Sequence, residues 1–125
     1  MENEAKQLFK QAVDTLNRAS EELYRPEEDI VTYLVCKNAQ VAIESFLKGY
    51  LVENGVDISK HTTVNSLYNK CLDINKNFKE IDLSEFNCKS QSLESRYCDD
   101  VSKVDSCFKI ASNLDSFLRK EKVIS

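Results

Sequence analysis

Ala39-Gln40-Val41-Ala42-Ile43-Glu44-Ser45-Phe46-Leu47-Lys48-Gly49-Tyr50-Leu51 belongs to the most apolar element of this 125-residue chain, and its reading decides the fold. With Ile30, Tyr33 and Leu34 upstream, the apolar side chains cover more than one face of a helix from about Pro26 or Asp29 to Glu53. A helix that is apolar over most of its circumference must be buried on several sides. In a small bundle it is therefore a central helix, or one that also makes a subunit contact. Asn54-Gly55 closes it with a glycine able to take the left-handed conformation at the C′ position.

The flanking sequence fits a bundle. A first helix is expected from about Glu4 to Leu23, with Ala5, Leu8, Phe9, Ala12, Leu16, Ala19 and Leu23 forming its stripe. Arg25-Pro26 interrupts it, because proline suits a first helical turn and biases the residue before it away from the α region. Thr62 or Thr63 caps a third helix that buries Val64, Leu67, Tyr68, Cys71 and Leu72. Asn75 to Lys79 reads as a polar break. Asp82 and Glu85 resemble a capping box opening a weaker helix to about Ser95. The last helix starts near Asp99 or Asp100 and reaches about Lys120, with a stripe of Val101, Val104, Phe108, Ala111 and Leu118 and with Cys107 and Leu114 beside it. The expected fold is all-α, an up-and-down bundle of four or five helices in one domain spanning residues 1–125.

Composition removes the rivals. The chain has two glycines and one proline, where average usage would supply roughly nine and six. Sandwiches and barrels need those residues for hairpins and bulges. Rossmann and P-loop sites need glycine-rich loops, and Gly49 and Gly55 cannot build one. Any nucleotide must therefore be held by side chains and helix ends.

The formal charge is −4. Its excess lies at Glu21, Glu22, Glu27, Glu28 and Asp29, read as a solvated helix junction, and argues against a broad nucleic-acid surface. Five cysteines (Cys36, Cys71, Cys88, Cys98 and Cys107) include no CxxC pair, and no histidine stands at ligand spacing, so no metal is expected. Cys36, Cys71 and Cys107 fall on apolar helical positions, where a thiol acts as a small hydrophobe. The polar start, Met-Glu-Asn-Glu-Ala-Lys, lacks the apolar core of a signal peptide, and no run is long enough to span a membrane. The expected compartment is the cytoplasm, and no cofactor is expected.

Three short pieces carry a family resemblance. Residues 39–51 followed by Asn54-Gly55-Val56 resemble the second helix of HEPN domains (higher eukaryotes and prokaryotes nucleotide-binding). Leu93-Glu94-Ser95-Arg96-Tyr97-Cys98-Asp99-Asp100 resembles the Arg-Tyr-x-Asp segment before that family's last helix, and Lys60-His61-Thr62-Thr63-Val64 resembles the loop that opens helix three. The resemblance implies a helical bundle that commonly dimerises. Some members are ribonucleases, often toxins, in which an Arg and a His a few residues later meet their copies across the dimer. Arg stabilises phosphate charge there and His transfers a proton. This chain departs from that pattern: Tyr97 to Lys103 follow Arg96 without a histidine, and the one histidine, His61, lies far upstream.

The candidate site residues are Arg96, Tyr97, Lys48, Glu44, Lys60 and His61. Arg96 is either a phosphate contact near the start of the last helix or an ion-pair partner of Asp99 or Asp100, the second being preferred. Tyr97 is read as a packed aromatic before a stacking platform. Glu44 and Lys48, at i and i+4, form a surface pair, or Lys48 reaches a ligand phosphate together with Arg96. Lys60 and His61 would bind phosphate over the helix-three N-terminus, against the plainer reading of a capping or solvent-exposed loop histidine. Asp99 and Asp100 are read as helix caps before metal ligands.

The leading expectation is a non-catalytic, homodimeric HEPN-like module that binds a nucleotide, an RNA or a nucleotidyltransferase-type protein. The alternatives are a ribonuclease toxin with a non-standard active site built on Arg96 and His61, and a purely structural helical interaction domain.

Overall fold

The computed structural model describes residues 2–23, 32–59, 63–81 and 101–124, with side chains for 4–22, 37–59, 63–81 and 108–124. Among the described residues there are four α-helices, α1 (Glu2–Leu23), α2 (Thr32–Glu53), α3 (Val64–Ile74) and α4 (Val101–Lys120), with a 3₁₀ helix at Lys76–Glu80. Among the described residues there is no strand, and the fold is an all-α bundle. The predicted start of the second helix and the predicted helix from Asp82 to Ser95 lie outside the described residues.

α2 is the axis of the bundle. It packs against α1, α3 and α4, and Ala39, Ala42, Ile43, Phe46, Leu47, Tyr50, Leu51 and Val52 are all buried. From Ala39 to Val52 its apolar side chains are largely covered by α1, α3 and α4 of the same chain, as a central helix requires. Its least buried strip carries Lys37, Val41 and Lys48. α1 runs antiparallel to α2 and brings Ala5 and Phe9 beside Val52 and Gly49. Ala5, Phe9, Ala12, Leu16 and Ala19 are buried as their spacing predicts, while Leu8 is only partly so.

α2 and α4 end in the same way. Gly55, at φ +78°, follows α2, where its N–H donates to Val52 O at 3.0 Å and that of Val56 donates to Leu51 O at 2.9 Å. This pair of bonds is a Schellman motif. After α4, Lys122 takes φ +62° and the bonds recur from Lys122 N to Arg119 O and from Val123 N to Leu118 O. The second motif places a lysine where glycine is the unstrained choice.

Two expectations are corrected. Asn75 to Lys79 is not a polar break: it contains most of the 3₁₀ helix, and Phe78 is wholly buried. The Phe78 ring lies 4.8 Å from that of Tyr50 and 4.7 Å from that of Phe117, both tilted, so an aromatic column links α2 to α4. On α4, the core face holds Ile110, Ala111, Leu114, Phe117 and Leu118, with Phe108 only partly buried. Ala111, Leu118 and the flanking Leu114 are buried as read, and Ile110 and Phe117 widen the arc because α4 packs on α2 and α1 while Phe117 meets Phe78 of the 3₁₀ helix. The side chains of Val101, Val104 and Cys107 lie outside the described residues.

Candidate functional site

α2 presents a row of polar side chains at four-residue spacing: Gln40, Glu44 and Lys48. Four residues is close to one helical turn, so the three lie one above another. Gln40 and Glu44 are buried, and Lys48 is half-buried at the edge of the open strip. The Lys48 ammonium stands 3.8 Å from Glu44 Oε1, an ion-pair distance too long for a hydrogen bond.

The expectation of a surface pair is therefore corrected on one side. Glu44 keeps only 7% of its surface in contact with solvent, because it lies on the central helix of the bundle. A carboxylate in that position depends on its partners, since burying an unpaired charge is costly. Lys48 supplies one of them. Gln40 was not singled out from sequence, although its spacing to Glu44 and Lys48 was the available signal.

Of the candidates read from sequence, the structure brings together Glu44 and Lys48. Arg96, Tyr97, Lys60 and His61 lie outside the described residues, as do Asp99 and Asp100. The start of α3 is described from Thr63, which caps it by accepting from Ser66 N–H at 3.1 Å. One donor of that helix end is thereby already taken.

The opposite end of the core is organised by Asn75, which follows α3 and precedes the 3₁₀ helix. Its Oδ1 accepts from Asn77 N–H at 3.0 Å, and its Nδ2 donates to Glu121 Oε1 at 2.8 Å. The Asn77 amide donates to the same carboxylate oxygen at 3.3 Å. These two amides hold the Glu121 carboxyl below the ordinary carboxylate range. Tyr50 hydrogen-bonds Asn75 as well, but burial outweighs that bond and pushes its phenol above the ordinary tyrosine value.

Cys71 is wholly buried and free, and its thiol donates to Leu47 O at 3.8 Å. Burial pushes this thiol well up, away from the thiolate that nucleophilic chemistry requires. Among the described residues, no group of His, Cys, Asp and Glu could hold a metal ion, and no helix is long and apolar enough to cross a membrane. A cleft of about 480 Å³ opens where α1 meets the ends of α2 and α4, lined by Ala5, Lys6, Phe9, Val52, Glu53, Gly55 and Val123. Neither Glu44 nor Lys48 lines it.

The sequence pattern of the HEPN domain matches residues 5–121, which takes in nearly all of the first helix, the whole of the central one and all of the last. No curated protein and no solved structure matches the chain.

Proposed function

The chain belongs to the HEPN domain family, and on that premise we propose that it is a non-catalytic, homodimeric module that binds a nucleotide or RNA. One observation carries the non-catalytic part: Arg96 is followed by Tyr97, Cys98, Asp99, Asp100, Val101, Ser102 and Lys103, with no histidine to move a proton. What is left is phosphate recognition, for which arginine is well suited. Arg96 and Lys60 supply positive charge, Lys48 adds an ammonium shared with Glu44, His61 adds a hydrogen-bonding ring and Tyr97 an aromatic surface. Dimerisation is drawn from family kinship. A nucleotidyltransferase-type protein is the alternative partner. It is favoured by the acidic balance of the chain, which suits a broad RNA surface poorly.

RNA incubated with wild type, Arg96→Ala and His61→Ala is expected to remain intact in all three samples. Cleavage by wild type that is lost in Arg96→Ala would replace the proposal with a ribonuclease using a non-standard site. In thermal-shift measurements against nucleotides and short RNA, a ligand at one hundred times its Kd adds about 2.7 kcal/mol. That shift is expected for wild type and is expected to shrink in Arg96→Ala. No shift with any nucleotide or RNA would leave the protein partner. Light scattering after gel filtration is expected to give a dimer, and a monomer at micromolar concentration would remove that part of the reading.

A further inference from the structure

A second feature, argued without Arg96 and its neighbours, lies where α1 meets the ends of α2 and α4. The cleft of about 480 Å³ continues into another of about 300 Å³, the two sharing Lys6, Phe9 and Val123. Together they form a groove along α1 from Ala5 to Val13, about 12 Å of helix. Its apolar surface comes from Phe9, Val13, Val123 and Ile124. The wall opposite α1 is the turn after α4, held in place by the Schellman bonds and by the Asn75–Glu121 bond.

Charge is distributed unevenly along this groove. Lys6 and Lys10 stand one helical turn apart on its rim, exposed and without a carboxylate partner among the described residues. Arg119 also lines it, but its Nε is held by Asp115 Oδ1 at 3.0 Å, so the two lysines carry the unbalanced positive charge. Glu53 lines the far end, and Glu4 and Asp57 line an adjoining cleft that shares Val52 and Gly55.

We propose that this groove docks an amphipathic helix of a partner protein, with apolar residues laid along Phe9, Val13 and Val123 and carboxylates one turn apart meeting Lys6 and Lys10. Aliphatic Val13, Val123 and Ile124 accept leucine-like side chains in the helix-in-groove manner, whereas single-stranded nucleic acid needs exposed aromatic platforms, and Phe9, the one aromatic lining the groove, is buried. The carboxylates at the far end repel a polyanion and tolerate a peptide whose charge is confined to one end.

The test is fluorescence anisotropy with a labelled synthetic helix carrying leucines at i, i+3, i+4 and i+7 and two glutamates one turn apart on its flank. A version with lysines replacing the glutamates and a single-stranded RNA serve as competing probes. The glutamate helix is expected to bind wild type more tightly than either. In Lys6→Glu/Lys10→Glu its affinity is expected to fall about tenfold, since two attractions become repulsions, while the lysine helix gains. Both lysines are exposed, and circular dichroism melting verifies that the variant folds. Lys76→Glu/Lys79→Glu, exposed and outside the groove, is expected to leave binding unchanged. The proposal is overturned if the glutamate helix fails to bind at millimolar concentration or ignores the Lys6/Lys10 reversal. Equal sensitivity to the Lys76/Lys79 reversal, or tighter binding of the RNA, overturns it too. None of these outcomes bears on the Arg96 experiments.

Discussion

Phe9 lies directly against the backbone of Gly49: a Cβ added to that glycine would stand 2.7 Å from Phe9 Cε1 and 2.9 Å from Cδ1. The close approach of α1 to α2 depends on that missing carbon. Gly49→Ala would gain about 1 kcal/mol of helix propensity, but overpacking typically costs about 1–3 kcal/mol. A net loss of about 1 kcal/mol is expected in urea unfolding. In a Phe9→Ala background the clash is gone, and the same substitution is expected to stabilise. A double-mutant cycle in which Gly49→Ala has one sign in both backgrounds would refute the packing account.

The paired Schellman turns give opposite predictions for two substitutions. Gly55 has open space around an added Cβ, so only its φ of +78° opposes a side chain. Gly55→Ala is expected to cost about 1 kcal/mol. Lys122 already bears that strain at φ +62°, and Lys122→Gly is expected to stabilise by roughly 0.5 kcal/mol. Thermal melts of the two variants should move in opposite directions.

Phe78 occupies the middle of the aromatic column between Tyr50 and Phe117. Its removal leaves a cavity among three elements, and Phe78→Ala is expected to cost about 3–5 kcal/mol. That is a large share of the roughly 5–15 kcal/mol available to a domain. Phe78→Leu should lose much less. If Phe78→Ala unfolds at the wild-type denaturant midpoint, the column is not what joins the 3₁₀ helix to the bundle.

The reasons some features were legible in the sequence and others were not are local. α2 announces its central place because apolar residues surround it, and Asn54-Gly55 and Thr63 mark helix ends through backbone chemistry that needs no neighbours. Phe78 carries no such signal, being one aromatic among Lys76, Asn77, Lys79 and Glu80, and only the folded chain brings Tyr50 and Phe117 to it. Ile110 and Phe117 are core because more than one element meets α4, which a single-stripe pattern does not express. At the candidate site, spacing shows that Glu44 and Lys48 pair but not that Glu44 is covered, because covering is a tertiary event. Arg96, Tyr97, Lys60 and His61 fall outside the described residues, so their standing rests on sequence and kinship.

Asn75 shapes the pH dependence of stability at both ends of the scale, creating it at the acid end and moderating it at the alkaline end. Hydrogen bonds from Asn75 and Asn77 lower the Glu121 pKa from its ordinary 4.5. A lowered folded value means that the stabilisation is present above the unfolded pKa and is lost as pH falls through the folded one. Tyr50 has the opposite sign: burial raises its pKa above 10.0. Its contribution is present below that value and is lost as pH rises through the folded one. Glu121→Gln is therefore expected to flatten the acid limb of a urea-midpoint profile and to ease the alkaline limb slightly, because the Glu121 charge also helps to raise the Tyr50 pKa. Tyr50→Phe should flatten the alkaline limb alone. Asn75→Ala removes the bond on which the Glu121 shift chiefly rests, so its acid limb should resemble that of Glu121→Gln. Its alkaline limb should steepen, because the amide that lowers the Tyr50 pKa is gone while burial remains. An Asn75→Ala profile parallel to wild type across the whole range would show that the junction between α3, the 3₁₀ helix and α4 is not electrostatically coupled through this side chain.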